Sequence, residues 1–72
     1  MNNFLPIYGE KTLKLAFEFG LILSEAAKEH NIELTRETSE RAEKIFIQEI
    51  REKGMRRTAL NFIPLIMSAL EI

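Results

Sequence analysis

The side chains that could carry acid–base or metal chemistry form an acidic strip on the first predicted helix. Glu18, Glu25 and Glu29 lie along one side of that helix, and His30 follows directly. Carboxylates held together can bind metals or transfer protons. Di-iron helical bundles need a Glu three residues before a metal-binding His, and Ala27 stands at that position. We therefore interpret the strip as a solvated helix face, without catalytic role, metal or cofactor.

Covalent catalysis has little support in this sequence. The 72 residues include no cysteine and a single histidine, His30, so a Ser or Thr nucleophile would depend on that one base. The three glycines, Gly9, Gly20 and Gly54, are isolated from one another, whereas a phosphate-binding loop needs glycines close together. The sequence therefore predicts a protein that is not an enzyme.

A basic cluster surrounds Gly54 and consists of Arg51, Lys53, Arg56 and Arg57. Such side chains can contact phosphates through charge-assisted hydrogen bonds. The turn around Gly54 suits a helix–turn–helix motif, but the following helix lacks the polar side chains that read base edges. Two interpretations remain, namely a solvated helix end whose cations favour the helix dipole and a nucleic-acid contact through phosphates. Nucleic-acid binding is therefore the alternative function.

The composition favours helices as the elements that hold these residues. Glu occurs eleven times, while Asp and Val are absent, and this bias is typical of helical proteins. The net charge of −1 gives the chain no overall attraction to nucleic acid or to acidic membranes. A chain of 72 residues allows one domain, which buries only about 60% of the surface of its unfolded chain. Oligomerisation would supplement so small a core.

We predict an all-α fold, a single domain spanning residues 1–72, in which three helices follow an extended N-terminal arm. Pro6 and Gly9 disfavour a helix in the arm, which either covers its own domain or crosses to a partner. Asn31 can end the first helix in a left-handed conformation, while Thr35 and Gly54 can cap the second. The predicted bounds are 1–9 for the arm, 11–30 for helix 1, 36–53 for helix 2 and 58–72 for helix 3.

The three predicted helices differ in how much apolar surface they carry. Helix 2 has a single apolar face, and its opposite face places Glu40 four residues before Lys44 and Glu49 four residues before Lys53, the favourable order for ion pairs. The apolar arc of helix 1 covers about 200°, against about 100° for an ordinary surface helix. Helix 3 is apolar over most of its circumference. Two helices therefore need more cover than one chain offers.

Pro64 leaves two possibilities for the third segment. A short turn near residues 56–60 can precede a helix that begins at Phe62, because proline fits a first helical turn after an N-cap at Asn61. A kinked continuous helix is the alternative. We expect the first arrangement.

These patterns predict that the chain pairs into a homodimeric helical bundle. They also predict a protein–protein interaction module, an adaptor or regulator, that acts through self-association or by binding a protein partner. A large exposed apolar surface marks an interaction site, whereas a membrane-surface helix would keep a strongly polar face. No apolar run approaches the length of a membrane span, and no signal peptide is recognised, so we expect a cytoplasmic protein. The predicted interface residues are Phe17, Leu60, Phe62, Ile63, Ile66, Met67 and Leu70.

Overall fold

The structure is a computed structural model, which describes the backbone of residues 5–72 and the side chains from Gly9 onward. Over this range the chain forms three α-helices, which are α1 (Leu5–Glu29), α2 (Arg36–Leu60) and α3 (Phe62–Leu70). The described residues contain no β-strand. The predicted all-α class and the three-helix architecture are therefore confirmed.

Each of the two long helices is interrupted at a glycine. Gly9 in α1 has φ 84° and ψ −168°, and Gly54 in α2 has φ 85° and ψ 171°. A positive φ is accessible to glycine without steric strain, which explains the residue type at both positions. At the second break, the hydroxyl of Thr58 donates a hydrogen bond of 2.7 Å to the carbonyl oxygen of Gly54. The short segment from Met55 to Leu60 therefore continues α2 in a new direction.

The observed bounds differ from the predicted ones at both ends of the chain and at Gly54. Helix 2 was predicted over residues 36–53 with Gly54 as its cap, but α2 continues through the break at Gly54 to Leu60. The predicted arm lies outside the described residues at positions 1–4, and from Leu5 the chain belongs to α1, with the expected break at Gly9. The expected start of the last helix at Phe62 is confirmed, but the predicted bounds of 58–72 are too wide, because residues 58–60 belong to α2 and α3 ends at Leu70. The reason is local, because Asn61 (φ −107°, ψ 19°) separates the two helices and Glu71 (φ 61°) ends α3 in the left-handed region.

The caps between α1 and α2 follow from residues with special backbone or side-chain roles. Asn31 adopts φ 56°, and the amide of Ile32 donates to the carbonyl of Ala27 over 2.8 Å, as in a Schellman motif. Thr35 is the N-cap of α2, and its side-chain oxygen accepts a hydrogen bond of 3.2 Å from the amide of Thr38. Both caps agree with the sequence expectation.

One phenylalanine from each helix builds the centre of the core. Phe19 of α1 lies 4.9 Å from Phe46 of α2 and 5.2 Å from Phe62 of α3, measured between ring centroids. All three rings are buried. Tilted and edge-on ring pairs at such distances add stability of about 0.5–1.5 kcal/mol beyond the burial of their area. The trio therefore fixes which side of each helix points inward.

Polar contacts join the helices at two further points. The Nε of Arg41 on α2 donates a hydrogen bond of 2.9 Å to the carbonyl oxygen of Ala69 on α3, and the same guanidinium lies 3.9 Å from Glu71. At the second point, the buried hydroxyl of Thr12 on α1 lies 3.1 Å from the sulfur of Met55 on α2. These contacts hold α3 and the end of α2 against the rest of the molecule.

Candidate interaction surface

The solvent face of α1 carries three large hydrophobic side chains at helical spacing. Leu13, Phe17 and Leu21 are exposed by 50%, 68% and 55% respectively. Residues four apart lie on the same side of a helix, so the three side chains form one continuous strip, which we call the α1 strip. The opposite side of α1 holds Phe19 and Leu23 in the core. Helix α1 is therefore apolar on two sides, of which the described residues of the chain cover one.

A second group of exposed hydrophobic side chains lies at the end of α2 and on α3. Leu60 is the most exposed of them, at 79%, and Ile63 and Met67 also face solvent. This second group spans the junction at Asn61, where one helix ends and the next begins. Its members therefore do not share a single straight helix face, unlike those of the α1 strip.

The seven residues predicted as an interface divide between the core and the surface. Phe62, Ile66 and Leu70 are buried within the chain itself, because α3 turns this side toward α1 and α2. Their assignment to an exposed surface is therefore corrected, since no partner can reach them while the fold is intact. The structure leaves the other four exposed, namely Phe17, Leu60, Ile63 and Met67.

Leu13 and Leu21 are exposed in the α1 strip but are absent from the predicted interface residues. The signal was present, because Leu13, Phe17 and Leu21 repeat at intervals of four. It was hidden by the width of the apolar arc on α1, which gives no indication of which part the chain covers. The position of Phe19 in the core resolves this ambiguity.

Charged side chains border the α1 strip at both ends and along one edge. Glu10 and Lys28 stand at its ends, and Lys14 and Glu25 lie at its edge; all four are exposed. The three ion pairs between described side chains involve other residues, since two lie on α2 and one joins α2 to Glu71. The charges of α1 are therefore not engaged in ion pairs within the described part of the chain.

The solvent face of α2 has the opposite character. Lys53 pairs with Glu49 at 3.0 Å, and Arg36 pairs with Glu40 at 3.7 Å, each pair one helical turn apart. Glu40 therefore pairs backward with Arg36, whereas the sequence suggested Lys44 as its partner. Ion pairs of this kind stabilise the exposed face of a helix within a single chain, so this face of α2 does not need a partner protein.

All four side chains of the basic cluster are exposed, but the structure does not combine them into one uniform positive surface. Arg51 and Lys53 precede the break at Gly54, whereas Arg56 and Arg57 follow it. The ammonium of Lys53 already contacts Glu49. Arg56 and Arg57 are exposed, and neither belongs to the three ion pairs between described side chains.

The acidic strip does not form a metal site in the part of the chain that the structure describes. Glu18, Glu25, Glu29 and His30 are all exposed, and no group of three or more potential ligands comes together among the described residues.

Within residues 5–72, no helix is long and apolar enough to cross a membrane.

Comparison with known proteins adds no functional assignment. No protein-family model matches the chain, and neither a curated protein nor a solved structure is significantly similar to it.

Proposed function

We propose that the chain is a small helical protein–protein interaction module that acts by self-association, with a homodimer as its basic assembly and the cytoplasm as its location. The observation that carries this proposal is the number of large hydrophobic side chains left exposed around a core that is otherwise complete. Among the described residues these are Leu13, Phe17, Leu21, Leu60, Ile63, Met67 and Ile72, with exposed fractions between 39% and 79%.

Single exposed hydrophobic residues are common, but aligned ones mark interaction sites. The α1 strip aligns three of them on one helix. Burying such side chains against another copy removes apolar surface from water, at about 25 cal/mol for each Å². A small domain with a limited core gains most from that additional burial.

The test is the oligomeric state of the purified chain, measured by sedimentation equilibrium over a concentration series from micromolar to millimolar. We expect a reversible dimer, and we expect Phe17→Glu to shift the chain to monomer because it places a charge in the α1 strip. Ala59→Glu is the matched control, since Ala59 is exposed on a helix but lies outside that strip. A wild-type chain that remains a compact monomer throughout the series would reject self-association.

Nucleic-acid binding through the basic cluster is the second candidate function. It is supported by the exposure of Arg56 and Arg57, which follow the break at Gly54. Phosphate contacts weaken as salt rises, because binding releases counterions. A gel-shift series at two salt concentrations tests this candidate by comparing the wild type with Arg56→Glu/Arg57→Glu. Binding that is absent at low salt, or equal for both proteins, would reject it.

A further inference from the structure

We infer that the second copy docks on the α1 strip with its own α1 running antiparallel, around a two-fold axis at the level of Phe19 and Gly20. This inference rests on the proposed self-association and specifies its geometry. It follows from the charges that border the strip, because one end carries a negative side chain and the other end a positive one.

The end charges of the α1 strip have opposite signs. With about 100° of rotation per residue, Glu10 and Lys28 both lie within about 20° of the direction of Phe17. Glu10 stands one turn before Leu13, and Lys28 stands beyond Leu21, toward the end of the helix. An antiparallel partner therefore brings Glu10 of each copy to the level of Lys28 of the other.

The edge of the α1 strip shows the same complementarity. Lys14 and Glu25 lie about 60° and 80° from Phe17, on the same side of the helix. A two-fold axis perpendicular to two antiparallel helices places this edge of one copy beside the same edge of the other. Lys14 of each copy then faces Glu25 of its partner.

Both sets of charge pairs require the same alignment of the two helices. Residues 10 and 28 are centred on residue 19, while residues 14 and 25 are centred between residues 19 and 20. The two centres differ by half a residue, or less than about 1 Å along the helix axis. In this alignment Phe17 lies beside Leu21 of the partner, so the apolar side chains are covered while four ion pairs form.

A parallel dimer is disfavoured by the same residues. It would place the two Glu10 side chains of the dimer against each other, and likewise the two Lys28 side chains. Like charges in contact oppose association. The exposed group on Leu60, Ile63 and Met67 is also a poorer match, because it spans the helix junction at Asn61. The α1 strip is straight and has charges that a second copy can satisfy.

Charge reversal tests the antiparallel register. Glu10→Lys alone, or Lys28→Glu alone, places like charges together twice in the dimer and should weaken association by roughly tenfold. The double variant E10K/K28E should restore wild-type affinity, because its new pairs again have opposite signs. An equimolar mixture of the two single variants should form heterodimers in preference to either homodimer. Glu33→Lys and Lys44→Glu are matched controls at exposed positions outside the strip.

Cross-linking provides a geometric test that does not depend on charge. The chain has no native cysteine, so Glu10→Cys and Lys28→Cys each introduce one reactive thiol. A short bis-maleimide reagent should join the two variants to each other in a mixture, and should leave each variant alone largely unlinked. In a parallel dimer, residues 10 and 28 of different copies are about 27 Å apart, and each variant would instead link to itself.

The outcomes separate this inference from the proposed function. A wild-type chain that dimerises while neither charge reversal affects its affinity would overturn the antiparallel α1 interface and leave self-association intact. Linking of the Glu10→Cys variant to itself would do the same in favour of a parallel arrangement. A wild-type chain that never dimerises rejects the proposed function itself. Circular dichroism of each variant establishes that it is folded.

Discussion

The solvent-exposed faces of α1 and α2 are opposite in character, since one carries a strip of large apolar side chains and the other is charged. On α2 before the break at Gly54, ion pairs such as Glu49 with Lys53 form within one turn of the helix, and the large hydrophobic side chains lie on the inner face. On α1, Leu13, Phe17 and Leu21 remain exposed. Up to the break at Gly54, α2 therefore leaves no large hydrophobic side chain exposed, whereas α1 carries a surface suited to a second molecule.

This difference shows that amphipathicity alone does not separate core from interface. Both helices contribute a phenylalanine to the core, Phe19 and Phe46. Only α1 carries another phenylalanine, Phe17, on its outer side. Substitutions on the inner and outer faces of the helices can therefore separate side chains that stabilise the fold from side chains that support association.

The largest expected effect separates the two sides of α1. Phe19→Ala should lower the free energy of unfolding by about 3–5 kcal/mol, because it removes a buried ring and leaves a cavity. Phe17→Ala should change it by less than about 0.5 kcal/mol in the monomer, as expected for a surface position. Urea unfolding at low protein concentration, where association does not contribute, measures both. Equal losses for the two variants would show that Phe17 belongs to the core.

Arg41→Ala tests the main polar link between α2 and α3. The substitution should lower the free energy of unfolding by about 1–2 kcal/mol, because the charge-assisted hydrogen bond from Arg41 to the carbonyl of Ala69 is lost. Arg36→Ala is the control, since Arg36 forms only an exposed ion pair with Glu40, for which about 0.5 kcal/mol or less is expected. A smaller loss for Arg41 than for Arg36 would contradict the assigned contact.

Thr35→Ala tests the cap that starts α2. The substitution removes the side-chain oxygen that accepts from the amide of Thr38, and the expected loss of unfolding free energy is about 1 kcal/mol. Thr35→Ser keeps that oxygen and should retain most of the stability. Thermal unfolding followed by circular dichroism distinguishes the two variants, and an equal loss in both would argue against the cap.

The smallest expected effects compare single charges on the two solvent faces. Glu49→Gln removes the partner of Lys53 and should lower stability by about 0.5 kcal/mol or less, decreasing further as salt is added. Glu25→Gln on α1 should leave the stability of the monomer unchanged but weaken the proposed dimer. Urea unfolding and sedimentation equilibrium of both variants check this contrast, which would fail if Glu49→Gln affected association more than Glu25→Gln.

The sequence by itself determined several of the points at which the helices begin, end or bend. Asn31, Thr35 and Gly54 act on the backbone within a few residues, so their effects do not depend on distant parts of the chain. Pro64 and Asn61 likewise predicted a separate final helix, although its predicted bounds were too wide. The inner face of α2 also followed from its pattern, because its outer face is densely charged.

Only the tertiary structure decided which part of each apolar helix faces the core. Thr12 contacts Met55, and Phe19 contacts Phe62, and these partners are too distant in sequence for helical periodicity to reveal their pairing. On α3 the same packing buries Phe62 and leaves Ile63 exposed, although both residues are apolar. A wide apolar arc fixes how much surface must be covered, whereas the packing of neighbouring helices fixes which side remains for a second molecule.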